Sequence, residues 1–478
     1  DNMLRLFYGR MYYNMNNWYL MMSFIPGYNR NKKNLEQMIT SNMTGEVENE
    51  IAPGLLLKMF YPLIVIVKLI FLSLTTSRFK SKVKRKIKYY RIQNFENYDW
   101  QKCLDVYADL RTSMLEKWHI PVENDFLVMS YFGILKRNIP ENELQEMVNF
   151  DNISIRQINQ LSALSKQFYS LPELQLQIDN LDVENYELTI DKYPEIKQAL
   201  NSYFDVYGGR FANELKLESP DIEEDSQKLL KLLKLYKNFQ PRTTVSSKGE
   251  DKLPDKFFLR FALKKFKKYA SKREEMRLLR SNSFSLVRKI FNRMGAVLSD
   301  ANLIDEAEDI YYVDIDTLLK AKSVSKLENL QSQIKKRKQL YSSYNIVQPL
   351  PYFKLADGDE VPVIQEGYFA DEILNGRPCT PGTMEGTVRV FPEYFLPETI
   401  DFDVLVTSHT DPGWTPLIGL SKALIIEHGG VLSHAAIVSR ELGIPTVIGL
   451  QGATQKLKTG EKVSLNGSTG QVIKISGK

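Results

Sequence analysis

Cysteine is almost absent from this chain of 478 residues. The two that occur, Cys103 and Cys379, cannot build a disulfide framework, and neither belongs to a CxxC pair or to a Cys/His cluster typical of a metal site. The first residues show no signal-peptide pattern. We therefore expect a cytoplasmic protein in a reducing compartment, without a metal site.

Extremes of composition and charge are absent as well. Hydrophobic residues make up 43% of the chain and charged residues 25%, which excludes a disordered, collagen-like or fully membrane-embedded protein. The net charge of +5 is spread over a large chain, so it does not indicate a nucleic-acid partner. At roughly 150 residues per domain, the length predicts about two to four domains.

The sequence pattern changes once along the chain. Apolar residues recur at three- and four-residue spacing among Lys and Glu at first, which predicts a mostly α-helical domain over residues 1–350. Residues 351–378 mix Pro, Gly and acidic residues without helical periodicity, as a linker does. Over residues 379–478, short β-branched runs alternate with helical segments near Thr415–Leu420 and Ser433–Leu442, which predicts a compact α/β domain.

Histidine is scarce too, and it is unevenly distributed. Of the four histidines, His409, His428 and His434 fall in the predicted α/β domain. His434 follows Ser433, a good N-cap, and so lies on the first turn of a predicted helix. Backbone N–H groups and the helix dipole favour an anion there, and imidazole is a nucleophile near neutral pH. The pattern predicts that His434 accepts a phosphoryl group and lies exposed at a domain edge.

The neighbours of His434 fit a phosphate site. Gly429 and Gly430 precede it, and glycine permits close approach of the backbone to a ligand. Arg440 belongs to the same predicted helix and is expected to add a positive charge, with a solvent-facing side chain as the alternative. We therefore predict that Gly429, Gly430, Ser433 and Arg440 support the phosphate at His434.

The segment GGVLSHAAIVSRELGIP, which covers Gly429–Pro445, resembles the phosphohistidine signature of the swivelling domain in phosphoenolpyruvate-utilising enzymes. The resemblance continues upstream through CTPGTMEGTVRV and TDPGWTPLIGLSKALIIE, and downstream through LNGSTGQVIKI, so it covers residues 379–478. It implies that His434 is the phosphorylated histidine. In that family ATP transfers its β-phosphate to the histidine, AMP and phosphate are released, and the domain swings to the acceptor.

The order of the predicted domains is similar to that of rifampicin phosphotransferases, in which the histidine domain comes last, after a helical substrate domain. The segments Tyr207–Pro220 and Arg273–Phe291 resemble parts of such helical domains. Those enzymes begin with an ATP-grasp domain, whereas this sequence shows neither a glycine-rich phosphate loop nor paired metal-binding carboxylates. The resemblance implies that ATP and Mg²⁺ bind to an ATP-grasp domain in cis or in trans, and that this chain alone binds neither.

Four residues of the helical region are candidates for binding the acceptor or the phosphoryl group. Arg210 and Glu214 follow a glycine pair, and Arg273 and Arg277 lie at helical spacing on one face. A helix-start ion pair is the alternative for the first two, and a solvated charged face is the alternative for the others.

One apolar run, residues 54–74, is about as long as a membrane span and is followed by a basic stretch. Lys58 and Lys68 interrupt the run, and Pro62 is expected to break its helix. We therefore predict a helical segment covered by protein. Peripheral membrane contact of residues 54–91 is the alternative.

Three functions remain open at this level. The first is an ATP-dependent, dikinase-type phosphotransferase that carries a phosphoryl group on His434 to a small-molecule acceptor held by the helical domain. The second is an enzyme similar to phosphoenolpyruvate synthase with a different acceptor. The third is a phosphocarrier or regulatory scaffold without catalysis of its own.

Overall fold

The computed structural model describes residues 4–17, 55–240, 254–344 and 373–475, except for short gaps at 8, 15–16, 141–142, 145–146, 149–152, 255 and 431–432. For residues 55–70 it describes only the helical course of the backbone. We refer to residues 55–344 as the helical domain and to residues 373–475 as the α/β domain.

A small antiparallel hairpin, β1 (Leu4–Phe7) and β2 (Arg10–Tyr13), precedes the helical domain. The helices are α1 (Leu55–Arg91), α2 (Trp100–Ser113), α3 (His119–Asn138), α4 (Ile153–Tyr169), α5 (Pro172–Asn180), α6 (Val183–Thr189), α7 (Pro194–Tyr207), α8 (Ser226–Leu235), α9 (Phe257–Asp300), α10 (Ile315–Lys320) and α11 (Leu330–Tyr344). Aspartate caps begin several of them: the side chains of Asp99, Asp182, Asp225 and Asp314 accept backbone N–H groups at the starts of α2, α6, α8 and α10.

Helix α9 is the longest helix of the described residues, with 44 residues. Its N-terminal half packs on α3, where Leu263 and Phe266 share a core with Phe132. Its C-terminal half packs on α2, where Ile290 and Phe291 share a second core with Tyr107. One continuous helix therefore joins two hydrophobic clusters of the domain.

Helix α1 runs without interruption over 37 residues, so the predicted break at Pro62 is wrong. A proline removes one hydrogen bond from the helix interior, and a helix of this length keeps the bonds on both sides. From Leu72 onward its apolar stripe is buried against α3 and α9, and Lys80 and Lys86 pair with Glu275 and Asp109. Within the part of the chain that the structure describes, no helix is long and apolar enough to cross a bilayer. The side chains of residues 54–70 lie outside the described part.

The α/β domain is built on an eight-stranded sheet in the order β3-β10-β9-β5-β6-β7-β8-β4, with β5 to β8 parallel and the other pairs antiparallel. Its elements are β3 (Ile373–Asn375), β4 (Arg377–Thr380), β5 (Thr383–Phe391), β6 (Val404–Thr407), α12 (Thr415–Leu420), β7 (Ala423–Ile426), α13 (His434–Leu442), β8 (Thr446–Ile448), α14 (Ala453–Lys456), β9 (Lys462–Asn466) and β10 (Gln471–Ile475). The predicted fold class, a mostly helical region followed by a compact α/β domain, is confirmed.

The sheet begins before the predicted domain start at residue 379. Strand β3 pairs with β10, and Arg377 and Pro378 of β4 pair with β8. Residues 373–378 of the predicted linker are therefore part of the sheet. Residues 351–372 lie outside the described residues.

The two faces of the sheet belong to different cores. Val406 and Ile425 point to one face, where they join Leu457 next to α14. Leu405 and Leu424 point to the opposite face, which α12 and α13 cover. The core on this second face continues without interruption into α4 and α8 of the helical domain, because α12 packs on α4. The α/β domain is therefore docked on the helical domain through α12 and α13.

Candidate functional site

Helix α13 begins where the sequence predicts. Ser433 has extended backbone angles, and its Oγ accepts the Ala436 N–H at 3.4 Å, which caps the helix. Gly443 ends it in the left-handed conformation with a φ of 64°, as a C-terminal glycine commonly does. These two signals leave His434 as the first residue of the helix.

His434 is buried, with 4% of its surface accessible. The sequence had predicted an exposed position at a domain edge. The prediction was wrong because the docked helical domain covers the start of α13, and no local pattern reveals that contact. Ile437, one turn later, packs into the cluster formed by α3 and α9. The imidazole therefore lies in the interface between the two domains.

A threonine fixes the imidazole ring. The Thr415 Oγ1 lies 2.7 Å from the Pro412 carbonyl oxygen and 3.0 Å from His434 Nε2. A hydroxyl has one proton, and the carbonyl can only accept, so Thr415 donates to Pro412 and accepts from Nε2–H. The lone pair of the ring then lies on Nδ1, which is buried and has no hydrogen-bond partner among the described residues. This is the tautomer of a neutral, nucleophilic histidine.

The surroundings of His434 keep it neutral. Burial lowers the pKa of His434 well below its usual value, and the positive charges of Arg210, Arg277 and Arg273 lower it further. The same charges that disfavour an imidazolium favour an anion bound to the ring. These three arginines all come from the helical domain, whereas the histidine comes from the α/β domain.

Arg210 is one of the largest fully buried side chains, with 2% of its surface accessible. Its Nη2 donates to Ser154 Oγ at 3.0 Å, while Nε and Nη1 have no hydrogen-bond partner in the described structure. The preceding Gly209 fits closely against α9, since a Cβ there would lie 2.9 Å from the Ser281 carbonyl oxygen. Glycine therefore lets the chain approach α9 closely enough to place the guanidinium in the interior.

Three arginines of α9, at positions 273, 277 and 280, each face a carboxylate. Arg273 Nε lies 3.2 Å from Asp125, and Arg277 Nη1 lies 3.4 Å from Glu274. Arg280 Nη2 is 3.9 Å from Glu214, a longer contact that lies at the edge of an ion pair. Helical spacing thus brings these arginines to one side of α9, where carboxylates balance part of their charge.

Two buried carboxyl groups near Arg210 have raised pKa values. Burial, with a smaller contribution from Asp411, raises the pKa of Glu214 to about 7, although Arg210 opposes the shift. Burial also raises the pKa of Asp411, against the backbone N–H groups that it accepts. A carboxyl group with a pKa near 7 can take up or release a proton under neutral conditions.

Asp411 joins the two domains. Its Oδ1 accepts the Gly413 N–H at 2.9 Å and caps the 3-10 turn Pro412–Trp414, as a capping aspartate is expected to do. Its Oδ2 accepts the N–H of Asn213 in the helical domain at 2.7 Å. Beside it, a Cβ on Gly413 would lie 2.1 Å from the backbone of Phe211 and Ala212. No local sequence pattern indicates this contact across the domains.

Residues 400–470 match the family described as the mobile domain of PEP-utilising enzymes. This match lies within the α/β domain, which we therefore call the mobile domain below. Among curated proteins it is similar to a rifampicin phosphotransferase of Bacillus cereus, with 33% identity over 40% of this chain and 22% of the relative. A rifampicin phosphotransferase of Bacillus subtilis is 28% identical over 58% of this chain and 34% of the relative. A probable phosphoenolpyruvate synthase of Staphylothermus marinus is 43% identical over 22% of this chain and 13% of the relative. The chain thus spans well under half the length of these relatives, which are named as enzymes.

The mobile domain brings some of the predicted support residues to His434. Gly429 has a φ of 152°, which favours glycine, and a Cβ there would lie 3.2 Å from Ser433 Oγ. The Gly430 carbonyl accepts the Ser433 N–H at 2.8 Å, so both glycines shape the turn into α13. His428 is half exposed and lies 3.9 Å from Glu427.

Arg440 does not lie at the predicted phosphate site of the mobile domain. Its Nε donates to the Cys379 carbonyl at 3.4 Å, which fixes α13 to β4. Six residues of helix place it about 9 Å along the axis from His434 and on a different face. The prediction is wrong because two residues six positions apart in a helix do not lie on the same face. Arg210, Arg273 and Arg277 supply positive charge instead, from the other domain.

Proposed function

We propose that this chain carries a phosphoryl group on His434 and transfers it to a small-molecule acceptor held by the helical domain. The observation that carries the proposal is the neutral His434, with a bare ring nitrogen, buried among Arg210, Arg273 and Arg277. A nucleophilic histidine stores the phosphoryl group through an N–P bond, and the guanidinium groups balance the charge of the phosphoryl oxygens. The names of the relatives support a phosphotransferase.

The transfer to the acceptor has a simple chemical balance. A hydroxyl oxygen of the acceptor attacks phosphorus, the N–P bond breaks, and the electron pair returns to the imidazole of His434. The hydroxyl proton must go to a base, and Glu214, with its pKa raised to about 7, is our candidate for that role. The arginines stabilise the charge that develops on the phosphoryl oxygens during transfer.

Charging of His434 requires a phosphoryl donor. We propose that an ATP-grasp domain, in cis or in trans, binds ATP and Mg²⁺ and transfers the β-phosphate to His434, as the resemblance implies. This chain alone is then expected to form no AMP from ATP. Measurable AMP formation by the purified chain would contradict the proposal that a separate ATP-grasp domain charges His434.

The acceptor distinguishes the alternatives. The relatives named rifampicin phosphotransferase suggest an antibiotic-like acceptor, and those named probable phosphoenolpyruvate synthase suggest a small acid such as pyruvate. The test uses β-labelled ATP, this chain and an ATP-grasp partner, followed by mapping of the label under neutral conditions. We expect an acid-labile, alkali-stable label on His434 that moves to an added small molecule. Label that stays on the protein, whatever acceptor is added, would favour the phosphocarrier.

A further inference from the structure

The start of α9 presents phenylalanine side chains to the surface. Phe257 is 86% exposed, Phe258 58% and Phe261 45%, whereas the neighbouring Leu259 is buried in the core that α9 shares with α3. The Nζ of Lys265 lies 5.2 Å from the centre of the Phe261 ring. Large apolar side chains that are exposed next to one another mark an interaction surface. We call residues 257–268 the tip of α9.

The stripe of phenylalanines continues into lysines along the tip. Phe257, Phe261, Lys264 and Lys268 are spaced by four, three and four residues, which places them on one face of the helix. Both lysines are exposed. At 1.5 Å per residue, each lysine Cα lies about 10 Å behind a phenylalanine Cα along the helix axis. The stripe therefore has an aromatic end and a cationic end.

Helix α1 begins beside the tip. The Lys272 Nζ of α9 donates to the Ser73 carbonyl oxygen at 3.0 Å, and further along both helices Lys80 pairs with Glu275. The two helices therefore run parallel, and each begins about four to five turns before the first of these contacts. The start of α1 thus lies at the same end of the helical domain as the tip.

Positive charge dominates this end of the helical domain. In α1 the only charged residues before Arg78 are Lys58 and Lys68, and in α9 seven basic residues precede the first acidic one, Glu274. No acid and no capping side chain lie at the first turn of α9, so the helix dipole adds to the positive charge. A surface of this kind attracts a partner that carries negative charge.

The ends of the neighbouring α3 and of the turn after it complete this charge pattern. Helix α3 packs on the tip through Phe132 and Phe266, and its last turn carries Lys136 and Arg137. In the turn after α3, the structure describes one exposed acid, Glu143. Basic residues therefore outnumber acidic ones on both helices that flank the tip.

The surface of an anionic bilayer fits the aromatic and the cationic part of the stripe together. Aromatic side chains favour the boundary between lipid headgroups and acyl chains, where an apolar surface is buried by about 5–10 Å. If α9 stands with its first turn toward the bilayer, the separation of about 10 Å brings the lysines to the level of the lipid phosphates. A second copy of this chain fits less well, because it would bring the same positive charge to the contact.

We propose that this chain binds peripherally to the surface of an anionic bilayer through the tip of α9 and the start of α1 beside it. The phenylalanines enter the headgroup boundary, and the lysines pair with lipid phosphates. Arg273, which lies near His434, is about 24 Å behind Phe257 along the axis of α9, so the site around His434 stays on the aqueous side. The binding does not depend on the chemistry at His434.

Vesicle flotation of the full chain tests this binding. Vesicles of phosphatidylcholine alone are compared with vesicles of an equimolar mixture of phosphatidylcholine and phosphatidylglycerol. We expect binding to the anionic vesicles to be tighter by about tenfold or more, and high salt to remove most of this difference, because salt screens exposed charges. Equal binding to both kinds of vesicle, or binding to neither, would overturn the proposal.

Paired substitutions locate the contact. Lys264→Glu combined with Lys268→Glu should weaken binding to anionic vesicles by about tenfold or more, because two attractive charges become repulsive. Phe257→Ser combined with Phe261→Ser should have a similar effect, because the apolar surface is lost. Thermal unfolding should change little in either variant, since these side chains are exposed. If the serine pair lowers the melting temperature and leaves vesicle binding unchanged, the tip packs against protein and the proposal is wrong.

Two matched variants control for the change in charge and in apolar surface. Lys335→Glu combined with Lys336→Glu changes two exposed lysines of α11, which packs at the other end of α9. Leu176→Ser combined with Leu188→Ser changes two exposed leucines of α5 and α6. Both variants should bind anionic vesicles as the native chain does. Losses as large as those of the tip variants would overturn the assignment of the contact to the tip.

A polarity-sensitive dye reports the contact directly. The dye on Phe258→Cys should shift its emission to the blue when anionic vesicles are added, and the same dye on the exposed Glu195→Cys should not respond. Cys103 and Cys379 are buried and do not compete for the label. A shift that appears with an oligonucleotide or an acidic protein, but not with vesicles, would identify another partner and overturn the proposal.

Discussion

The two faces of the mobile-domain sheet are both apolar, but they pack against different parts of the molecule. Ile425 faces a core that consists only of residues of its own domain, whereas Leu424, the residue before it, faces the core that continues into the helical domain. The first face forms the internal core of the mobile domain, and the second face packs the mobile domain against the helical domain. Because strand side chains alternate, one four-residue strand contributes to both.

The site has the same division. The mobile domain supplies His434 and the Thr415 hydroxyl that positions it, while the helical domain supplies the arginines at 210, 273 and 277. Neither domain has a complete site alone, so folding, docking and chemistry should be separable by substitution. The predictions below test that separation, from the largest expected effect to the smallest.

Loss of the nucleophile should remove the chemistry and leave both faces intact. We expect His434→Ala to lower phosphoryl transfer by about 10⁴-fold or more, because no covalent route remains. Label from β-labelled ATP, mapped by mass spectrometry, should be absent from residue 434, and thermal unfolding should change little. His428→Ala is the matched control and should keep transfer. Transfer that persists in His434→Ala would overturn the assignment.

A substitution on the docking face should separate the two half-reactions. Gly413→Ala places a Cβ 2.1 Å from the backbone of the helical domain, so the docked geometry becomes unattainable. We expect charging of His434 to persist and transfer to the acceptor to fall by about 10³-fold, since positioning is lost. Single-turnover assays of each half-reaction measure the two effects. Equal losses in both would mean that Gly413 serves the fold of the mobile domain rather than its docking.

A substitution on the sheet face that packs only within the mobile domain should lower stability and leave transfer unchanged. Ile425→Ala leaves a cavity in a core that is fully buried within the mobile domain, and we expect a loss of about 2–5 kcal/mol in the free energy of unfolding. Transfer per folded molecule should stay unchanged at low temperature. Denaturant unfolding and the transfer assay, performed on the same samples, check both expectations. A large drop in transfer by fully folded protein would show that the two faces are coupled.

The smallest effect concerns pH. The pKa of Glu214 is raised to about 7 in the folded protein, so the native state binds this proton more tightly than the unfolded chain. Its contribution to stability is therefore present in acid and is lost as pH rises through about 7. We expect Glu214→Gln to flatten the pH dependence of the unfolding free energy between about pH 4.5 and 7. An unchanged slope would show that Glu214 titrates near its usual value.

Much of the mobile domain could be predicted because its signals are local. Ser433 and Gly443 mark the ends of α13, and alternating β-branched residues mark the strands. The burial of His434 and the second partner of Asp411 depend on residues about two hundred positions away, for which a single sequence gives no signal. The predictions for Pro62 and Arg440 were wrong for other reasons. A long helix tolerates the one hydrogen bond that Pro62 removes. Because a helix turns by 100° per residue, Arg440 lies on a different face from His434.

Helix α9 adds a constraint of length to this chain. It is a single helix of 44 residues that is anchored in one core near Phe266 and in another near Phe291, with Arg273 and Arg277 between the anchors. Inserting or deleting one residue between the anchors would rotate one end by about 100° relative to the other. Either a core or the arginine pair would then face the wrong way. This stretch of α9 should therefore tolerate substitutions better than insertions or deletions.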